Sequence, residues 1–146
     1  MRYIESPNVY KPKPGEKTIF LAGSISGCSD WQQEMVHLLS DTDLVLFNPR
    51  RKYFPIDDPN AKFEQISWEY KYLCETDAIL FWFSPETLCP IVLYELGAWS
   101  MTDKPIYLGV HPSYQRKQDV ALQTKLIRPN VRIVHSIVDL ATQIKG

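Results

Sequence analysis

The stretch PIVLYELGAWS, Pro90 to Ser100, places Glu95 among Ile91, Val92, Leu93, Leu96, Ala98 and Trp99. An ionised carboxylate among apolar neighbours is costly unless it is paired or hydrogen-bonded. Two uses are open on position alone: a satisfied structural carboxylate, or a reactive group perturbed by its surroundings. Glu69, in SWEY, is a second candidate, with Lys62 and Lys71 near enough for ordinary surface pairing. Arg50 and Arg51 follow a strand end in NPRR, where a guanidinium could meet a phosphate or a carboxylate. The competing reading pairs one of them with Asp57, Asp58 or Glu69. Asn48 and Pro49 shape that loop, Asp77 reads as a turn or cap residue, and Trp31 and Trp68 suit a core or an interface.

These residues need elements to position them. Residues 1–16 are Pro-rich and polar, ending in KPKPGEK, and read as an extended arm ahead of a single domain over 17–146. TIFLAG, Thr18 to Gly23, is a short apolar run stopped by GSISG, hence a buried strand and its loop. In DWQQEMVHLLSD, Trp31, Met35, Leu38 and Leu39 recur at helical spacing behind Asp30 as N-cap. LVLFN is a second strand, followed by the polar loop NPRRKYFPIDDPN. Phe63 to Glu75 predicts a helix with Phe63, Ile66, Tyr70 and Leu73 on its inner face. DAILFWF is a third strand, and the helix carrying Glu95 follows, with Pro90 in its first turn. PIYLGV and VRIVH complete five strands, YQRKQDVALQTKL is a helix between them, and SIVDLATQIK closes the chain behind Ser136 as N-cap. Continuously apolar strands alternating with helices predict an α/β three-layer sandwich around a five-stranded parallel sheet. In such sheets functional groups gather beyond the carboxyl ends of the strands, at the switch point in strand order. The loops there are GSISG, NPRR, SPETLCP and HPSYQRKQD.

Composition narrows the partners. The 146 residues suit one domain, and 16 basic against 17 acidic residues give a net charge of -1. No basic excess points to a nucleic acid polymer. The start MRYIESPNVYKPKPGEK lacks the apolar core of a signal peptide, and no apolar run approaches the roughly 20 residues needed to span a bilayer. Neither export nor a membrane partner is expected. Cys28, Cys74 and Cys89 form no CxxC and read as reduced thiols of a cytoplasmic protein. With His37, His111 and His135 equally scattered, neither a metal nor an organic cofactor is expected.

The segments IFLAGSI, DWQ, NPRR, FEQISWE, TDAILFWF and PIVLYELG, in that order, resemble the nucleoside 2-deoxyribosyltransferase-like family. The resemblance covers roughly Thr18 to Val110 and implies a flavodoxin-like, Rossmann-like parallel sheet. It makes Glu95, the glutamate of the ELG segment, the nucleophile that attacks the anomeric carbon of 2-deoxyribose and holds the sugar as an ester. A second base or water would then release it, as in double-displacement glycosidases. A nearby helix N-terminus would help keep Glu95 ionised. The resemblance places Glu69 near the base as the second catalytic acid, with Trp68 as an aromatic wall. Gly23, Ser24 and Ile25 fall where relatives bring the backbone close to the sugar, and Asn48 and Arg50 join the substrate-binding set. Relatives place a sugar-contacting Asn, often from a neighbouring subunit, where this chain has Asp119. Some also carry an Asp six residues before the nucleophile, where this chain has Cys89.

The expected function is therefore an N-glycosyl transferase acting on a deoxynucleoside or deoxynucleotide and a free nucleobase, in a homo-oligomer. Asp119 would accept a hydrogen bond from a 5'-hydroxyl and repel a 5'-phosphate. The alternatives are an N-hydrolase using the same Glu95, and a non-catalytic nucleotide-binding module. A flavin mononucleotide carrier is disfavoured, because GSISGCSD is not rich in the Ser/Thr hydroxyls such phosphate sites use.

Overall fold

The computed structural model describes residues 1–146. Its strands are buried on both faces because alternate side chains enter different cores. In β2 (Thr18–Gly23), Phe20 and Ala22 enter one core while Ile19 and Leu21 enter the other. β4 (Ala78–Phe83) divides in the same way, sending Ile79, Phe81 and Phe83 to the first core and Leu80 and Trp82 to the second. β3 (Val45–Asn48), β5 (Ile106–Val110) and β6 (Ile133–Val134) complete the expected strands.

The sheet has six strands rather than five. Arg2–Glu5 forms β1, which pairs parallel with β3 from Arg2 opposite Val45 to Glu5 opposite Asn48. The order is β1-β3-β2-β4-β5-β6, parallel throughout. A four-residue edge strand in which Tyr3 and Ile4 are flanked by Arg2 and Glu5 gives no continuous apolar run, so its sequence reads as an arm. The arm continues over the sheet and is fastened there. The Trp68 indole N–H donates to the Asn8 carbonyl at 2.8 Å, and the Tyr10 N–H donates to the Tyr72 hydroxyl at 3.0 Å.

Helices cover both faces, giving the three-layer α/β arrangement. α1 (Trp31–Leu38) and α5 (Ile137–Lys145) pack on one face, and α2 (Ala61–Glu75), α3 (Pro90–Ser100) and α4 (Lys117–Ile127) on the other. The expected caps are in place: Asp30 accepts from the Gln33 N–H at 3.1 Å, Ser136 accepts from the Asp139 N–H at 3.0 Å, and Pro90 opens α3. No helix is long and apolar enough to cross a membrane.

α2 differs from its expected orientation. Phe63, Ile66 and Tyr70 are 77%, 54% and 68% exposed, and the inner face is Ala61, Trp68, Tyr72 and Leu73. Trp68 and Tyr72 bury more area than the rival stripe, and the arm supplies partners for their polar tips. Tyr72 stacks on Phe47 at 4.2 Å between ring centroids. Trp68→Ala is expected to cost about 3–5 kcal/mol in urea unfolding. Trp68→Phe, which keeps a ring but loses the bond to Asn8, should cost about 1 kcal/mol.

Candidate active site

β2 leads through α1 to β3 on one side, and α2 carries the chain back to β4 on the other, so the switch point lies between β2 and β4. In open parallel sheets this point, beyond the carboxyl ends of the strands, is where ligands bind. The two loops that line it are tied together: the Ser24 and Thr87 hydroxyls meet at 2.8 Å. The Ser24 carbonyl accepts from the Trp31 indole at 3.0 Å, the Gln32 amide at 3.1 Å and the Cys28 thiol at 3.2 Å. Three donors on one carbonyl hold this turn. The Ile25 carbonyl faces the Cys28 thiol at 3.7 Å. Gly23 is needed for packing, since a Cβ there would lie 2.7 Å from Trp31 Cε2 and 2.9 Å from the Trp82 carbonyl.

Several expected ligand residues have partners within the protein. Arg50 donates to the Ser29 carbonyl at 2.9 Å, to Gln32 Oε1 at 3.1 Å and to the Cys28 carbonyl at 3.2 Å, and it lies 3.9 Å from Asp30. It clamps the loop after β2. Asn48 is buried; it accepts from the Arg50 N–H at 2.9 Å and donates to the Tyr3 hydroxyl at 2.9 Å. Burial, with Glu5 beside it, pushes that Tyr3 hydroxyl up to about 12. Trp68 sits in the core among Phe20, Phe47 and Tyr72. Asp119 is exposed on α4, paired with Arg116 at 3.3 Å. It borders a cavity with Leu93, Leu96, Gly97 and Ser100, the side of α3 turned away from Glu95. Within one chain Asp119 and Glu95 do not meet.

Glu69 on α2 and Glu95 on α3 lie near enough for the charge of Glu69 to act on the Glu95 carboxyl. Burial, reinforced by the charge of Glu69, raises the Glu95 carboxyl to about 8. Burial raises Glu69 to about 7, held down in part by the Gln65 side chain and the Arg51 guanidinium. Glu95 lies in the second turn of α3, and the favourable effect of a helix N-terminus fades beyond the first. The expected help in keeping it ionised is therefore not supplied. Instead, burial favours the protonated form of both carboxyls, and the charge of Glu69 adds to this at Glu95. Cys89, the residue ahead of Pro90, adopts φ 52° and is buried with its thiol 3.3 Å from the Thr87 hydroxyl.

Sequence reasoning missed the distinct place of Arg51 and the part of Gln65. Arg51 turns away from Arg50, toward α2, donating to Gln65 at 2.8 Å and to Glu64 at 2.7 Å. Gln65 precedes Glu69 by one helical turn, a spacing that could have flagged it.

The family described as nucleoside 2-deoxyribosyltransferase like matches residues 16–114, more than half of the chain. The chain belongs to that family. The matched span includes Glu69, Glu95 and the loops that meet at the switch point, whereas β1 and Asp119 lie outside it. Among solved structures, a conserved protein from Enterococcus faecalis V583 is similar with a TM-score of 0.63 and 20% identity. That match covers 89% of this chain and 98% of the other, and at this identity it shows the fold alone. No curated protein matches the chain.

The raised carboxyls couple stability to pH. A Glu ordinarily titrates near 4.5, so between that value and about 8 the folded state binds protons that the unfolded chain has lost. This contribution to stability is fully present below about pH 4.5 and is lost as pH rises through about 7 and 8. Glu95→Gln, which cannot ionise, should therefore stabilise the protein at pH 9 by on the order of 2 kcal/mol, allowing for partial solvent access. The gain in melting temperature should shrink toward zero near pH 4.5; a gain independent of pH would contradict the burial of this carboxyl.

Proposed function

We propose that this protein is an N-glycosyl transferase that moves 2-deoxyribose from one nucleobase to another by double displacement at Glu95. The reading rests on two partly buried carboxyls, Glu95 and Glu69, close enough for the charge of one to act on the other and raised to about 8 and about 7. On substrate binding the proton resides on Glu69, which leaves Glu95 as a carboxylate. A Glu95 oxygen attacks C1' of the sugar, and the C1'–N bond breaks with its electron pair passing to the base. Glu69 gives its proton to that departing base. The sugar is then an ester of Glu95, formed through an oxocarbenium-like transition state. The nitrogen of an incoming base attacks C1', its proton passes to Glu69, and Glu95 leaves as a carboxylate.

Water in place of the second base makes the same site an N-hydrolase of a deoxynucleoside or its 5'-monophosphate. The partial exposure of both carboxyls favours this as the second reading. Separation of Asp119 from Glu95 supports a homo-oligomer in which α4 of a second copy completes the sugar site. Exposed Ile91, Tyr94 and Leu126 on the same helical layer are apolar surface for such a contact. The free thiols of Cys28, Cys74 and Cys89 suit a cytoplasmic setting.

Each deoxynucleoside and its 5'-monophosphate should be incubated with and without a different free base. A new nucleoside formed only with the acceptor is the expected product, and Glu95→Ala should lower its rate at least about 1,000-fold. Free base released without exchange would establish the hydrolase, and undiminished turnover by Glu95→Ala would remove the mechanism.

The pH dependence has a definite sign. Below about 7 both carboxyls are protonated and no nucleophile exists; above about 8 no proton remains for the leaving base. A narrow bell for kcat/KM between those values is expected. Glu69→Gln should shift the remaining ionisation of Glu95 downward, because the neighbouring charge is gone.

A further inference from the structure

We propose that Arg51 is a positioning residue for this reaction, holding Glu69 opposite Glu95 through a brace that joins α2 to the end of β1. The proposal rests on the carboxylate chemistry proposed above and adds the device that makes the two carboxyls unequal.

Arg51 begins a segment in which Lys52 to Asn60 are all exposed, yet its own side chain is only 5% exposed. Its Nε donates to Gln65 Oε1 at 2.8 Å, and a guanidinium nitrogen donates to Glu64 at 2.7 Å. The same Nε lies 3.4 Å from the Ser6 hydroxyl, just past β1. The guanidinium also stands over the Phe54 ring, 5.3 Å from its centroid. An arginine can only donate, so Gln65 must present its oxygen to it, and the amide orientation follows. That oxygen also accepts from the Ser6 hydroxyl at 2.8 Å, and the amide N–H donates to the Pro49 carbonyl at 2.7 Å. Both ends of the Gln65 amide are thus committed. Glu69 stands one turn further along the same face of α2.

The brace acts on one carboxyl of the pair. Arg51 and Gln65 favour the charged form of Glu69, whereas Glu95 feels only burial and Glu69 itself. Of the charged groups, Arg51 from the loop after β3 acts on Glu69, and Glu69 in turn acts on Glu95 from α3. The arm packed on α2 contributes Ser6, Asn8 and Tyr10, which bring no charge, and Tyr10 is itself bonded to Glu16 at 2.7 Å. Two like carboxyls in one groove would otherwise hold their shared proton without preference. Because the Arg51 charge favours ionisation of Glu69 and not of Glu95, the empty site keeps the proton on Glu95. Substrate must then draw it across the pair to Glu69. Glu69 is thereby the group that receives the proton and passes it to the base.

The test is a carbon NMR titration of the glutamate side-chain carboxyls in the full chain, with Glu69 assigned by its loss in Glu69→Gln. Arg51→Met is expected to raise the Glu69 midpoint by about one pH unit, and Arg51→Lys to restore most of it. Glu64→Gln, at an exposed position, frees the guanidinium and should lower the midpoint; it reads the same coupling should Arg51→Met not fold. In turnover, Arg51→Met should move the acid limb of the kcat profile upward, with little change in KM. A Glu69 midpoint unmoved in Glu64→Gln and in whichever Arg51 variant folds would overturn the proposal. Absence of turnover by the unmodified protein would instead remove the chemistry proposed for the site, and the titration would still decide the role of Arg51.

Discussion

Glu69 and Glu95 are both partly withdrawn from water, the charge of one disfavours that of the other, and each would lower its free energy by moving apart or further into solvent. Their proximity therefore depends on how firmly α2 and α3 are held to the sheet. Trp68, Tyr72 and Leu73 from α2 share a core with Val92 and Leu96 from α3, all of them buried against Phe20, Phe81 and Phe83. Burying each such side chain stabilises the fold by about 1.5–3 kcal/mol, enough in sum to hold two carboxyls in an unfavourable place. A looser layer would hydrate them, and both would behave as ordinary surface acids.

The segment NPRR gives the crevice its second constraint. Adjacent residues in an extended segment point to opposite sides, and Arg50 and Arg51 use this to reach in two directions. Arg50 holds the backbone after β2, while Arg51 holds α2. One short segment thus ties together both sides of the switch point, and Asn48 beneath it links the same segment to β1 through Tyr3. The basic doublet is bonded to the protein's own carbonyls, amides and carboxyls.

Much of this was legible in the sequence, for identifiable reasons. Continuous apolar runs marked β2 and β4 because both of their faces are buried, and Asp30, Pro90 and Ser136 marked helix starts through the chemistry of caps. Glu95 stood out as a misfit among apolar neighbours, and it is the residue with the most raised carboxyl. β1 was hidden because an edge strand needs only one buried stripe, which four residues cannot display. The inner face of α2 was misread because Phe63, Ile66 and Tyr70 fit the helical period as well as Trp68 and Tyr72 do. Partners on a segment some sixty residues away decided between them. The different tasks of Arg50 and Arg51 depend on contacts with separate elements, and no local pattern distinguishes the two. Asp119 could be placed on a helix from sequence, but its distance from Glu95 depends on how α3 and α4 pack.

The sheet ends at each side in a short strand, four residues in β1 and two in β6. Pro7 follows β1 closely and has no N–H to offer a further ladder. Unpaired strand edges recruit other chains when they are long, flat and apolar, and neither border here is. Growth of the sheet by lateral addition is thus poorly templated, which leaves contact through helix surfaces as the mode open to other copies. That mode brings side chains, rather than backbone ladders, to the contact and leaves the crevice between β2 and β4 far from any edge-to-edge junction.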